Sequence, residues 1–303
     1  MKKTLIALAV LVAAGSVNAA TVYDKDGVSF ALSGDVDVNY KKDRGVDTAD
    51  AALNLDDADF SFELGSAINE DAKAIGFFEF SGEGGNADTG DIYVGLSSAS
   101  MGTVVWGKTA TIFDGAGIGS DYEFGLQGAV DAIDPSGSEV VKYNHSVGAV
   151  SFGIATKMDD EGADTDAKYY DAMVGYAAGD FAGRLFVASH DSDALEGTAY
   201  VLEADYTVED VLLQATYGAS TEDTGAGDVD ATLYGLAASY SMDKVGLNAG
   251  WSAYDLDDVD TVNTFFVNVD YAIAAKATVY AEVGTNDADD VDTGYVVGMV
   301  VKF

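Results

Sequence analysis

The amino-acid sequence predicts an all-β fold: a closed, antiparallel transmembrane β-barrel of about sixteen strands. Three observations predict it. Apolar and polar residues alternate with period two along segment after segment, as they must in a strand with one face in hydrocarbon and the other in water. No run of roughly 18 consecutive apolar residues is present, so a membrane helix is not available. The connections alternate between short and long, as expected when the two sets lie on opposite sides of a membrane.

The chain opens with a targeting pattern. Lys2 and Lys3 give a positive start, Leu5 to Ala14 an apolar run, and Val17-Asn18-Ala19 a small-residue cleavage site, which together read as a signal peptide over residues 1–19. Residues 20–303 then form one domain, the barrel, because no Pro/Ser-rich linker or composition break divides them. Apolar residues make up 48% of the chain, too many for a disordered polymer. Cysteine is absent, although the compartment beyond the inner membrane tolerates disulfides. Removing Lys2 and Lys3 leaves 13 basic residues against 52 acidic ones, a net charge of −39. Nucleic acid, which needs basic surface, is excluded as a partner.

The first strand separates Phe30, Leu32, Gly34, Val36, Val38 and Tyr40 from Ser29, Ser33, Asp35, Asp37 and Asn39. Next, Phe60, Phe62 and Leu64 alternate with Asp59, Ser61 and Glu63, and Ile92, Val94 and Leu96 with Tyr93 and Gly95. Val150, Phe152 and Ile154 then alternate with Ser151, Gly153 and Ala155. Further on, Leu247, Ala249 and Trp251 oppose Asn248, Gly250 and Ser252, and Phe265, Val267 and Val269 oppose Phe266, Asn268 and Asp270. The last strand sets Tyr295, Val297, Met299, Val301 and Phe303 against Gly294, Val296, Gly298, Val300 and Lys302. Tyr40, Tyr143, Tyr176, Tyr206, Tyr217 and Tyr240 fall near strand ends, where aromatic girdles meet the two membrane interfaces.

One connection is out of scale. About thirty residues separate the strand ending at Lys108 from the one beginning near Glu139, and a loop that long is usually functional. It holds the sole proline, Pro135, the acids Asp114, Asp121, Glu123, Asp131 and Asp134, and apolar residues including Ile112, Phe113, Ile118, Tyr122, Phe124, Leu126, Val130 and Ile133. Residues of the second kind have something to bury. Folding inward would bury them and set the acids at the narrow part of a passage; an external lid is the other reading.

The run Tyr93-Val94-Gly95-Leu96, then Gly102 to Lys108, then Phe113-Asp114, resembles the approach to the third loop of the Gram-negative general (non-specific) porins, trimers of the enterobacterial type. Tyr122-Glu123-Phe124-Gly125 resembles an acidic element on that loop, and Val141-Lys142-Tyr143-Asn144 with Ser151-Phe152-Gly153 the strand pair after it. Phe303 matches the family's closing aromatic. The resemblance implies that the third loop folds inward, with Asp114, Asp121 and Glu123 at the constriction. It also implies basic residues on the opposite wall, where Lys108 and Lys142 fill two places by motif position. Asp35 and Asp59 stand on the pore wall where the family commonly has lysine or arginine, so the basic half of a transverse field is thinned.

The expected function is a water-filled outer-membrane channel for passive diffusion of ions and small hydrophilic solutes, with cation selectivity. A solute-selective channel and a non-conducting structural or adhesin barrel stay open as alternatives. The expected partners are further copies in a homotrimer, outer-membrane lipid and lipopolysaccharide, and the small hydrophilic solutes and cations themselves. No cofactor and no specific metal site are expected: neither Asp24-Lys25-Asp26-Gly27 nor Asp255-Leu256-Asp257-Asp258 fits an EF-hand loop. Catalysis is not expected either. Only two histidines exist, and His145-Ser146 lacks both a third group and a Gly-x-Ser-x-Gly element.

Overall fold

The computed structural model describes residues 20–46, 49–83, 86–126, 134–158, 167–192, 196–223, 225 and 227–303. The expected signal peptide over 1–19, and Val130, Asp131 and Ile133 of the long loop, lie outside the described residues. The strands are β1 (Ala20–Lys25), β2 (Val28–Lys42), β3 (Gly45–Val46), β4 (Ala52–Ala67), β5 (Ala72–Glu83), β6 (Asn86–Ser98), β7 (Gly102–Ala110), β8 (Ser136–Val147) and β9 (Val150–Lys157). They continue as β10 (Lys168–Ala178), β11 (Phe181–Asp191), β12 (Glu196–Val208), β13 (Val211–Asp223), β14 (Asp228–Met242), β15 (Val245–Leu256), β16 (Val262–Ala274), β17 (Ala277–Asn286), β18 (Val291–Asp292) and β19 (Gly294–Lys302). β3 and β18 form a separate two-stranded pair.

All the others pair antiparallel with their sequence neighbours, and β19 returns to β2. β19 covers Asp35 to Lys42 of β2, while β1 covers Val28 to Leu32, so β1 and β19 share one place in the ring. The ring therefore has sixteen places and closes on itself through β19 and β2, which removes the open edges a sheet of this length would otherwise present.

The period-two pattern fixes which side each residue faces. Phe60 and Phe265 stand on the outer surface, 38% and 44% exposed, while their neighbours Ser61 and Phe266 are buried inside. A one-residue slip in any strand would exchange the two sets. Tyr176, Tyr206 and Tyr240 each stand outward two residues before the end of their strands. Tyr200, Tyr217 and Tyr234 form a second outward row, their rings 5.9 and 5.2 Å apart, with Tyr217 at the middle of β13 and not near its end as expected. The two rows bound the apolar band.

Closure of the ring depends on Gly34. The Phe303 N–H donates to the Gly34 carbonyl at 2.9 Å and the Gly34 N–H returns the bond at 3.2 Å. The Phe303 ring lies over Gly34 and stacks on Phe60 at 6.5 Å. A Cβ on Gly34 would collide with the Asp59 carbonyl and with that ring. Gly34→Val is expected to lower stability by about 1–3 kcal/mol through overpacking. Urea unfolding of the detergent-solubilised barrel measures it; an unchanged midpoint would show that the seam yields.

Candidate pore constriction

Chemically, the inner wall is not uniform, and this places the third loop. From β8 round to β14 the inward positions include Val140, Ala155, Met173, Phe186, Ala188, Ala199, Val201 and Leu233, all buried. From β2 to β6 they include six carboxylates, Asp35 and Asp37 on β2, Asp57 and Asp59 on β4, Glu79 on β5 and Asp91 on β6, with Phe77 and Tyr93 as a small apolar cluster nearer the other end. An amphipathic loop inside such a ring lies on the apolar part. The loop does so. Ile112 and Phe113, at the start of a single 3-10 turn (Phe113–Gly115), pack against Val140, Tyr169, Met173, Phe186 and Val201. Burying a side chain such as Phe113 contributes roughly 1.5–3 kcal/mol. Further along, Tyr122, Phe124 and Leu126 pack with Phe266, Tyr280 and Val296.

Backbone donors of a loop inside a barrel also need partners. Buried wall side chains supply them. Asp171 on β10 accepts from the N–H of Phe113 at 2.8 Å and of Ile112 at 3.4 Å. Glu203 on β12 accepts from the Gly117 N–H and is itself fixed by Arg184 at 2.7 Å. Gln214 on β13 accepts from Gly119 at 3.1 Å. Glu282 on β17, 1% exposed, accepts from the N–H groups of Tyr122 (2.7 Å), Glu123 (2.9 Å) and Phe124, and from the Asn268 amide at 2.8 Å. Beside it the Tyr122 and Tyr280 rings stack at 3.8 Å. The Phe124 ring fills a notch left by Gly284 and Gly294, cross-strand partners on β17 and β19 where any Cβ would strike it.

Of the three loop acids read from the sequence, Asp114 and Asp121 are exposed to the interior, and Glu123 is not. Its carboxylate takes the Asn39 amide at 2.6 Å and the Lys41 ammonium at 2.8 Å. Asp56 also approaches Lys41, at 3.6 Å, because a bulge between Asp37 and Val38 leaves Asp56 unpaired beside Asp57. Burial pushes the Glu123 carboxyl up to about 7; Lys41 opposes the rise and Asp56 adds to it. Enclosure likewise raises Asp114 and Asp121 above the ordinary aspartate value.

Asp35 and Asp59 both face inward and are cross-strand partners, as are Asp37 and Asp57. Carboxylates directly opposite each other destabilise a sheet, and water and counter-ions lower that cost. Among the described residues none of Asp35, Asp37, Asp57, Asp59, Glu79 and Asp91 forms an ion pair.

The structure does not bring the two expected wall lysines to the passage. Lys108 pairs with Ile92 and shares the outward parity of Trp106, and its ammonium donates to the Thr89 carbonyl at the rim. Lys142 faces inward but is 9% exposed, its ammonium spent on the Ala110 carbonyl at 2.6 Å, where it props the stem of the loop. Motif position could not distinguish these outcomes, because it carries neither the outward parity that Lys108 shares with Trp106 nor the Ala110 carbonyl that holds Lys142. Sequence reasoning missed Lys41, Arg44, Asp171, Glu203 and Glu282. The last three carried a signal: acids on the inward parity of strand faces that are otherwise largely apolar, Glu203 with Asp205 two residues on.

His145 and Ser146 do not form a couple. His145 meets the Phe152 ring at 5.8 Å on the outer face, whereas Ser146 faces inward opposite Ser151.

The family model for Gram-negative porins matches residues 5–291. The chain belongs to the Gram-negative porin family. A porin-like protein H of Photobacterium profundum is 32% identical over the full length of both chains. Among solved structures, outer-membrane expressed OmpT of Vibrio cholerae has a TM-score of 0.79 at 17% identity, covering 93% of this chain and 99% of that one. An anion-selective porin from Comamonas acidovorans has a TM-score of 0.73 at 16% identity, covering 91% and 100%. This porin is thus an outer-membrane β-barrel of the passive-diffusion class, and its fold is shared with a channel that prefers anions. The fold alone does not set the sign of its selectivity.

Proposed function

We propose that this porin conducts cations in preference to anions and passes small hydrophilic solutes with weak specificity, and that the preference resides in the β2–β6 wall. One observation carries the reading: among the described residues the wall acids lack ion pairs, whereas Glu123 on the loop is held by Lys41 and Asn39. A passage with carboxylates on the wall and Asp114 and Asp121 opposite concentrates counter-ions and repels co-ions, more strongly between low-dielectric walls. The working unit is a homotrimer in lipopolysaccharide-containing outer membrane, reached through a cleaved signal peptide over 1–19. The reversal potential in a salt gradient across a planar bilayer tests the proposal. It should have the sign of cation preference and shrink toward 1 M salt, where the Debye length is about 3 Å. An anion-selective value rejects it.

Glu123 adds a pH dependence. A carboxyl with a value near 7 is charged above that pH and neutral below it. Lowering the pH from 8 to 6 should therefore remove the nearest of the three carboxylates around Lys41, leaving only Asp43 and Asp56 at 3.6 Å, and reduce cation preference. Glu123→Gln should show a flatter dependence over the same interval; equal slopes in the two proteins would assign the titration elsewhere.

A further inference from the structure

Arg44 sits where three segments meet. It lies between β2 and β3, and β3 pairs with β18 of the last external loop, Val46 opposite Val291 and Gly45 opposite Asp292. Lys42 reinforces this clasp through Asp292 at 2.8 Å. From it the Arg44 guanidinium turns inward and donates through Nη1 to the Phe124 carbonyl at 3.2 Å. The N–H of the same Phe124 donates to Glu282. Both backbone polar groups of that residue are thus held, one from the barrel wall and one from the outer loops. Gly294 lets the pieces meet: a Cβ there would lie 2.5 Å from the Phe124 ring and 2.7 Å from the backbone nitrogen of Arg44.

We propose that Arg44 is a positioning residue for the constriction, linking the clasp between the first and last external loops to the tip of the third loop. The inference rests on that third loop being the constriction of a conducting pore. A hydrogen bond from a guanidinium is charge-assisted and directional, so it fixes the carbonyl as long as the guanidinium is itself held. With the clasp open, the first loop is attached only through its two ends in β2 and β4, and the guanidinium is no longer held over Phe124. Parting the two outer loops at the cell surface therefore loosens the constriction without touching it.

Single-channel recording tests this on proteins whose barrel has been confirmed by β-sheet circular dichroism. R44A should spend about tenfold more time in conductance sub-states, the scale of one lost charge-assisted hydrogen bond. R44K should keep the wild-type reversal potential yet still show raised sub-state occupancy, since an ammonium is a point donor and not a fork. D292A, which weakens the clasp far from the loop, should raise the occupancy in the same direction. The chain has no cysteine, so V46C/V291C can be cross-linked selectively. Oxidation of that pair should return D292A to wild-type behaviour and should not rescue R44A. The inference is overturned if R44A moves only the reversal potential, or if D292A leaves sub-states unchanged. A wild-type protein without stepwise conductance would instead refute the pore reading and this inference with it. If R44A does not assemble, R44K and D292A make the same comparison.

Discussion

Glu282→Ala should raise single-channel conductance, increase open-channel noise and lower the thermal midpoint of the barrel together. The carboxylate accepts three successive backbone N–H groups of the third loop and one side-chain amide. An unsatisfied buried donor costs about 1–3 kcal/mol, so the loop tip should lift from the wall rather than stay and leave three of them bare. Lifting exposes Phe124 and unstacks Tyr122 from Tyr280, which adds a hydrophobic loss of roughly 1.5–3 kcal/mol. Glu282→Gln should fall between, because one amide oxygen can still accept while the amide nitrogen cannot. Planar-bilayer recording and a heat-modifiability series measure both effects. A variant with wild-type conductance and noise would mean that the apolar contacts alone hold the loop.

The second large effect concerns selectivity. Neutralising the wall with Asp35→Asn, Asp59→Asn, Glu79→Gln and Asp91→Asn should reduce the cation-to-anion permeability ratio about tenfold at low salt, since summed charges in a narrow passage set potentials of several kT. Neutralising the loop acids Asp121 and Glu123 should have a smaller effect. Glu123 already shares its charge with Lys41, and Arg44 lies near Asp121. Reversal potentials of the two variant sets in the same gradient separate the contributions. If the loop set moves the potential more than the wall set, the division of labour proposed here is reversed.

How far this was legible in the sequence follows from what each feature depends on. Alternation is local, so Phe30 to Tyr40 and Tyr295 to Phe303 identified their faces without any tertiary information. The count of sixteen followed from the spacing of turns. The inward course of the third loop was readable as an apolar surplus in a long connection, and the resemblance of Tyr122 to Gly125 pointed the same way. Contacts across the barrel were not legible. Nothing local says that Glu282 meets Tyr122, or that Arg44 reaches Phe124, because those contacts are set by closure of the ring. The bulges after Asp37 and Gly107 were equally hidden. The first places Asp56 beside Asp57, and the second lies at Lys108, where resemblance by motif position implied a wall place although the alternation puts it on the outward parity of Trp106. Charge could be counted in advance, but its partition into loop anchors, ion-paired groups and wall acids without ion pairs could not.

Since the chain contains no cysteine, a single one reports its own side of the wall. Asp59→Cys and Phe60→Cys differ by one residue and stand on opposite faces. During single-channel recording, a bulky cationic thiol reagent in the water should reduce the current of Asp59→Cys in discrete steps and leave that of Phe60→Cys unchanged. Current loss in Phe60→Cys alone, with Asp59→Cys unaffected, would contradict both the assigned faces and the carboxylate-lined passage.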